Sequence, residues 1–333
     1  MQTPPNQTTR LNLATEDQVF ALIITANHPF KRINEIIDFA SLTEPMRAAY
    51  STIGAAGIDV EKGIKALLIQ FWEDYSDRSM EKTLKENLAV KWFCGFGLTE
   101  PTPDFSYFSK LRKRIGTKRI AIMFQEINAT LESRGLFGNV FTFIDASTII
   151  TKAALWEERD KALADGEKKL NNSNVQKYAA DTDARWGAKS KNKIWFGHKR
   201  HLAVDMRFGL IKKSAITNAS VPDFKAVKSI LPKQGAVFMD KLYDTNFTNK
   251  LVTAFNCHVA TIQKDNRKDR DKGLNSWRSK IRMPFESVFS KLNKRARYRG
   301  HPKVTMQGFM QAMVHNLKKA LLHIPPSAIG QTT

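Results

Sequence analysis

The sequence predicts an α/β fold, a mixed sheet flanked by helices, preceded by an all-helical region. Three observations carry that prediction. From about residue 30 to 135 apolar residues recur at helical spacing, and near residue 138 the texture turns to short apolar, β-rich runs. The later part then reads strand, hairpin, helix, strand, helix, strand, the order of a mixed sheet. Within it one pattern occurs twice: an apolar run closed by a carboxylate, first Val140-Phe141-Thr142-Phe143-Ile144-Asp145 and again Ala236-Val237-Phe238-Met239-Asp240.

Residues 1–29 read as a polar tail with one short apolar run, Val19 to Thr25. In the helical region 30–137, Ile64, Leu67, Leu68 and Phe71 mark one apolar stripe and Ile120, Phe124, Ile127 and Leu131 another, with a long helix expected through Met80–Phe93. A Gly/Pro-rich turn, Gly95 to Pro103, leads to Asp104, a predicted N-cap, and then to a helix bearing Lys110, Arg112, Lys113 and Arg114. Helix, glycine-containing turn and basic helix outline a helix-turn-helix-like unit, whose basic face is either solvated or a phosphate contact.

The second region spans 138–322, with a short tail at 323–333. After the Asp145 strand, about 155–193 is dense in charge, Asn and Ser and reads as a surface insertion, with Asp181 and Asp183 expected in solvent. Ile194–Asp205 and Leu210–Thr217 form a hairpin around Met206-Arg207-Phe208-Gly209. Pro222 and Asp223 open a helix, Phe247–Phe255 gives another and His258–Gln263 a strand. Phe285, Val288, Phe289 and Leu292 stripe a later helix that carries Glu286, and Val304–Leu321 is a last amphipathic helix.

Charge narrows the function. Of 333 residues, 53 are Lys or Arg against 32 Asp or Glu, a net +21 that fits a polyanionic partner, most simply nucleic acid. The most basic window, 261–300, holds six Lys and seven Arg against four acids, and we read it as a nucleic-acid surface. An anionic membrane competes as partner, but no basic amphipathic helix with a lipid-facing side stands out and no apolar run approaches membrane-spanning length. Cys94 and Cys257 lack His or Cys partners at metal spacing and read as reduced structural thiols of a cytoplasmic protein.

An ionised aspartate at the end of a core strand is either a cap or a ligand for a cation, since desolvating it alone costs several kcal/mol or more. Asp145, Asp240 and Glu286 together supply hard oxygen ligands of the kind that select Mg²⁺ or Mn²⁺, and two such ions suit in-line phosphodiester chemistry.

Four motifs in order, Phe143-Ile144-Asp145-Ala146-Ser147-Thr148, Asp181-Thr182-Asp183-Ala184-Arg185-Trp186-Gly187, Phe196-Gly197-His198-Lys199-Arg200-His201-Leu202-Ala203-Val204-Asp205 and Met239-Asp240-Lys241-Leu242-Tyr243-Asp244, resemble the DDE transposases of bacterial insertion sequences. The branch is the one with a ribonuclease H-like catalytic domain, and residues 84–115 are similar to its N-terminal helical domain. The resemblance implies Asp145, Asp240 and Glu286 as catalytic and metal-binding acids, two Mg²⁺ or Mn²⁺ ions, element ends and target DNA as partners, and action as a homodimer or higher oligomer.

Charge points to DNA contacts from Lys110, Arg112, Lys113 and Arg114 of the basic helix, from Lys199 and Lys241, and from Arg295, Arg297 and Arg299 of the basic window, and the resemblance adds Arg282 and Lys294. Arg282 and Glu286 keep the Arg–Glu part of the family motif, whereas Ser279 holds its Tyr position and Asn293 its Lys position, with Lys294 one place later. Those departures leave a catalytically silent DNA-binding remnant, or a plain metal-dependent nuclease, as alternatives. His198 and His201 are read as packed or near the metal, Trp186 and Trp195 as packed or stacked on a base, and Asp205 as a turn residue and the rival to Asp145.

Overall fold

The computed structural model describes residues 15–50, 57–151, 171, 175, 177, 179–190 and 193–325. They fall into two compact units, one ending at Arg114 and joined by the chain after His323, the other Ile115–His323.

The first unit is helical: α1 (Glu16–Ile23), α2 (Pro29–Ile36), α3 (Phe39–Arg47), α4 (Val60–Trp72), α5 (Asp77–Glu86), α6 (Leu88–Cys94) and the start of α7 (Phe105–Ser133). The expected tail therefore contains a helix. Thr15 and Gln18 close a reciprocal capping box on α1, which satisfies backbone donors that the first turn otherwise leaves open. The single helix expected over Met80–Phe93 is two, because Asn87 ends α5 and its side chain accepts from Val90 N to start α6. The stripe Ile64, Leu67, Leu68 and Phe71 is buried as predicted, and Phe93 packs on Phe30 and Phe39. Asp104 Oδ1 accepts from Ser106 N and Tyr107 N, the predicted cap of α7.

Helix α7 is broken at Gly116, whose φ of 72° falls in the left-handed region that glycine enters without penalty. The contact boundary lies here, ahead of the change in sequence texture near 138. Beyond it the stripe Ile120, Phe124, Ile127 and Leu131 belongs to the second unit, where Asn128 bonds the Ile211 carbonyl and the Asn316 side chain.

Among the described residues the second unit holds a six-stranded mixed sheet: β1 (Phe141–Ile150), β2 (Arg185–Ser190), β3 (Lys193–Asp205), β4 (Ile211–Asn218), β5 (Gly235–Met239) and β6 (Cys257–Thr261). Its order is β2-β3-β1-β5-β6, with β4 also paired to β3. Strand β1 runs antiparallel to β3 and parallel to β5, and β3–β4 is the predicted hairpin. A central first strand with an antiparallel hairpin on one side and parallel strands on the other is the ribonuclease H-like arrangement. Much of the expected surface insertion lies outside the described residues, but its end is strand β2, bonded along the first half of β3.

Helices α8 (Asp223–Ile230) and α9 (Asn246–Ala254) cover one face, where Val227, Ile230 and Val252 pack with Ile144, Ala203, Val237 and Met239. On the other lie α10 (Lys272–Ser290), whose Phe289 ring meets Phe143 at 5.7 Å, and α11 (His301–His323), whose Val304 packs with Ile149 and Ile216. The two cysteines are buried and unpaired, and burial raises both thiol pKa values. Among the described residues no helix is long and apolar enough to cross a membrane.

Candidate active site

Asp145 is not at the end of its strand as the sequence suggests. Strand β1 continues through Ser147 to Thr148, Ile149 and Ile150, three residues whose β-branching favours a pleated backbone. What ends beside Asp145 is the neighbour: β1 and β5 pair from Phe141↔Ala236 to Ile144↔Met239, and Asp240 follows directly. The two aspartates are therefore the next residues of adjacent parallel strands, on the face of Phe143 and Phe238. Each also makes a local backbone contact, Asp145 Oδ1 with Ala146 N at 2.8 Å and Asp240 Oδ1 with Lys241 N at 2.6 Å.

Burial pushes the Asp145 carboxyl up to about 6, and the negative charge of Asp240 adds to the rise, while Lys189 and Arg282 oppose it. Glu286 arrives from the other direction, on the exposed side of α10. Its link to the aspartates is Arg282, one turn earlier. Arg282 Nη2 lies 3.4 Å from Glu286 Oε1 and 3.9 Å from Asp240 Oδ1, so a single nitrogen is shared by both carboxylates. The guanidinium sits over the Phe143 ring at 5.7 Å.

Asp240 and Glu286 thus share one guanidinium, whose charge also acts on Asp145. The donor set, all carboxylate oxygen, suits a hard divalent cation, and the raised Asp145 is a group that such a cation would hold ionised. The expected single cage of three acids is not formed: among the described residues no group of three or more His, Cys, Asp or Glu side chains stands close enough to hold a metal. Arg282 Nη2 is the group within 4 Å of both the Asp240 and the Glu286 carboxylates.

The other residues singled out in the sequence divide clearly. His198 and His201 are fully buried; His198 Nε2 pairs with Asp181 Oδ2 at 3.1 Å, and His201 Nε2 with Thr217 Oγ1 at 2.8 Å. Asp181 is not in solvent but 1% exposed, and Asp183, which is exposed, accepts from His301 N at the start of α11. Asp205 accepts from Gly138 N, Arg207 N and Phe208 N and so builds the hairpin turn. Trp186 and Trp195 are buried, with no face open to a base.

Two cations expected on DNA are committed elsewhere. Arg112 holds Asp77 through both guanidinium nitrogens at 2.6 and 2.8 Å, because partial burial leaves that charge in need of a carboxylate. Lys199 Nζ lies 2.9 Å from Asp223 and 3.0 Å from the Val221 carbonyl. Lys110 and Lys113 are exposed, Arg114 stacks on Tyr50, and Lys241 stands 3.5 Å from Asp265.

The segment after α10 is built differently from an ordinary loop. Arg200, fully buried, donates to the Asn293 carbonyl; Ile150 N donates to the Lys294 carbonyl, Ala296 N to Ile150 O, and Gln307 brackets the segment through Arg295 O and Arg297 N. The backbone of 293–297 is thereby fastened beside the end of β1, with the Lys294, Arg295 and Arg299 side chains exposed. Sequence reading missed the roles of Arg200 and Gln307, which depend on contacts between distant segments.

The mixed sheet thus places two carboxylates at adjacent positions of neighbouring strands, beside a basic segment whose backbone is hydrogen-bonded to the end of β1. The comparisons give the family. Residues 18–114 match the family described as Transposase domain (DUF772), and 137–317, more than half of the chain, match Transposase DDE domain. The chain belongs to the insertion-sequence DDE transposases. It is 27% identical over 237 residues to the transposase for insertion sequence element IS1106 of Neisseria meningitidis serogroup B, covering 67% of this chain and 81% of that one. Among solved structures, piggyBac transposase in a synaptic complex with hairpin DNA aligns over 90% of this chain and 74% of its own, at 10% identity and a TM-score of 0.37. Mos1 transposase in a paired-end complex aligns at 8% identity, over 96% and 99% of the chains, with a TM-score of 0.19.

Proposed function

We propose that this transposase binds the terminal inverted repeats of an insertion sequence, as an oligomer, hydrolyses a phosphodiester at each element end and joins the freed 3′-hydroxyl to target DNA. The observation that carries the reading is the placement of Asp145 and Asp240 as successive residues of adjacent strands, with Glu286 held to the same guanidinium.

Asp145 and Asp240 would hold the divalent ions, with Glu286 completing the set. Mg²⁺ or Mn²⁺, when bound, supplies activation of the attacking oxygen and stabilisation of the leaving one. The protein's own part is placement: the strand pair fixes two carboxylates with little freedom, and α10 delivers the third. The fastened segment carrying Lys294, Arg295, Arg297 and Arg299 would run along the phosphodiester backbone, positioning DNA without reading its bases. Lys241, beside Asp240, and Arg282 extend that positive surface to the acids, and Lys110, Lys113 and Arg114 offer a second one in the helical unit.

The test is cleavage of a labelled element end. Asp145→Asn, Asp240→Asn and Glu286→Gln should each lower Mg²⁺-dependent cutting by at least about a thousandfold while end binding stays within a few fold. Cutting retained by any one of the three would remove that residue from the site. Cleavage without joining of the 3′-hydroxyl would mark a plain nuclease instead.

A further inference from the structure

Arg282 occupies a position that its neighbours make unusual. The side chain is only 14% exposed, its Nε is buried without a hydrogen-bond partner, and its two carboxylate contacts, at 3.4 and 3.9 Å, are longer than charge-assisted hydrogen bonds normally are. Other arginines of the protein show what a settled pairing looks like: Arg112 grips Asp77 at 2.6 and 2.8 Å, and Arg267 reaches Asp244 at 2.7 Å. Arg282 instead stands off from two acids at once, with the Phe143 ring beneath it. A guanidinium so placed balances mutual repulsion among carboxylates without committing to any of them.

We infer that Arg282 is the resident counter-ion of the acidic site, occupying it until a divalent cation enters and then leaving Asp240 and Glu286 to that cation. The inference rests on the reading above that the three acids hold metal. It explains why three acids gather here without forming a closed ligand group: a planar +1 group is wider than a divalent ion and holds the carboxylates apart. Exchange follows from charge. A divalent ion satisfies the same oxygens with twice the charge at about 2.0–2.1 Å for Mg²⁺, where a guanidinium at 3.4–3.9 Å gains far less. Arg282 therefore sets the affinity of the site in both directions: it keeps the metal-free site folded and competes with the ion for the acids.

The test uses the full chain with Mn²⁺ alone, free ion being counted by electron paramagnetic resonance, and thermal melting in EDTA as a second reading. Arg282→Gln should bind Mn²⁺ about five- to tenfold more tightly than the parent, the effect of removing one nearby positive charge. It should also melt lower than the parent in EDTA and recover most of that loss in saturating Mn²⁺, while Arg282→Lys stays near the parent in both. Equal or weaker Mn²⁺ binding by Arg282→Gln overturns the inference. Should that variant not fold, the side-chain Nε–H resonance of Arg282 in the parent is decisive: it must move on adding Mg²⁺, and an unmoved resonance under saturating Mg²⁺ overturns the exchange. An Asp145→Asn, Asp240→Asn double variant separates the two failures. If parent and double variant bind Mn²⁺ alike, the metal-site reading falls and this inference with it. If only the parent binds and Arg282→Gln changes nothing, only the inference falls.

Discussion

At the scale of single residues, the protein keeps several ionisable groups where charge is costly. His201 and His315 are pushed down to about 4 by burial, and each has its Nε2 engaged, by Thr217 Oγ1 and by the Gly209 carbonyl. The unfolded chain would protonate them near 6.5. Folding then favours the neutral rings, so their contribution to stability is complete above pH 6.5 and is lost as pH falls from there toward 4, up to roughly 3 kcal/mol for each. Asp145 works the other way: its carboxyl, raised to about 6, takes up a proton in the folded state between pH 6 and 4 and offsets part of the loss. Replacing His315 with Gln should flatten the decline in urea-unfolding free energy between pH 7 and pH 5. An unchanged slope would mean that the ring is no more buried in solution than in an unfolded chain.

Residue by residue, the sequence told more about carboxylates than about cations. Asp145 and Asp240 stood out because a carboxylate closing an apolar run must be capped or hold a cation, and that pattern needs no knowledge of distant partners. Arg112 and Lys199 read as free positive charges only because Asp77 and Asp223 lie elsewhere in the chain. Asp181 read as solvated for the same reason: its polar surroundings in sequence are not its surroundings in space, where His198 closes over it. The helix at Glu16–Ile23 was missed by reading residues 1–29 as a tail, although Thr15-x-x-Gln18 is a capping-box signature that could have marked it.

At the scale of elements, strand β3 is the spine of the sheet, and Gly197 shows how closely it is packed. A Cβ at this position would lie 2.0 Å from the Ile149 carbonyl oxygen and 3.0 Å from Thr151 N. Neither is a flexible group, so Gly197→Ala should lower unfolding free energy by about 3 kcal/mol or more, measured in denaturant. Loss should be concentrated where β1 and β3 run together, and that end of β1 also fastens the Lys294 backbone through Ile150. A cost below about 1 kcal/mol would show that the strands separate there without penalty. The hairpin, the helix at Asp223 and the strand before Asp240 were all predictable from period and turn residues. The full length of β1 was underestimated because a carboxylate in mid-strand reads as a terminus until the neighbouring strand is seen to end beside it.

At the scale of the whole molecule, the net charge of +21 is distributed unevenly, and not all of the basic window 261–300 is available to a ligand. Arg267 and Arg270 face Asp244, Asp269 and Asp265, and Arg278 is spent on the Thr261 carbonyl. The remaining exposed cations form two groups, Lys268, Lys272 and Lys280 before and along α10, and Lys291, Lys294, Arg295 and Arg299 after it. Replacing Arg295, Arg297 and Arg299 together with Gln should weaken DNA binding alike for all sequences and reduce the slope of log affinity against log salt by about 2 to 3, read by fluorescence anisotropy. A slope that does not change would place the phosphates on another surface.

One feature of the fold also makes the protein convenient to study. Cys94 is sealed in the helical unit and Cys257 is covered beside Pro232 and Phe255, so neither native sulfur is offered to a maleimide under folding conditions. A cysteine introduced at an exposed position of α10 would thus carry a fluorophore without any prior removal of the natural ones, giving an optical reporter of that helix in otherwise wild-type material.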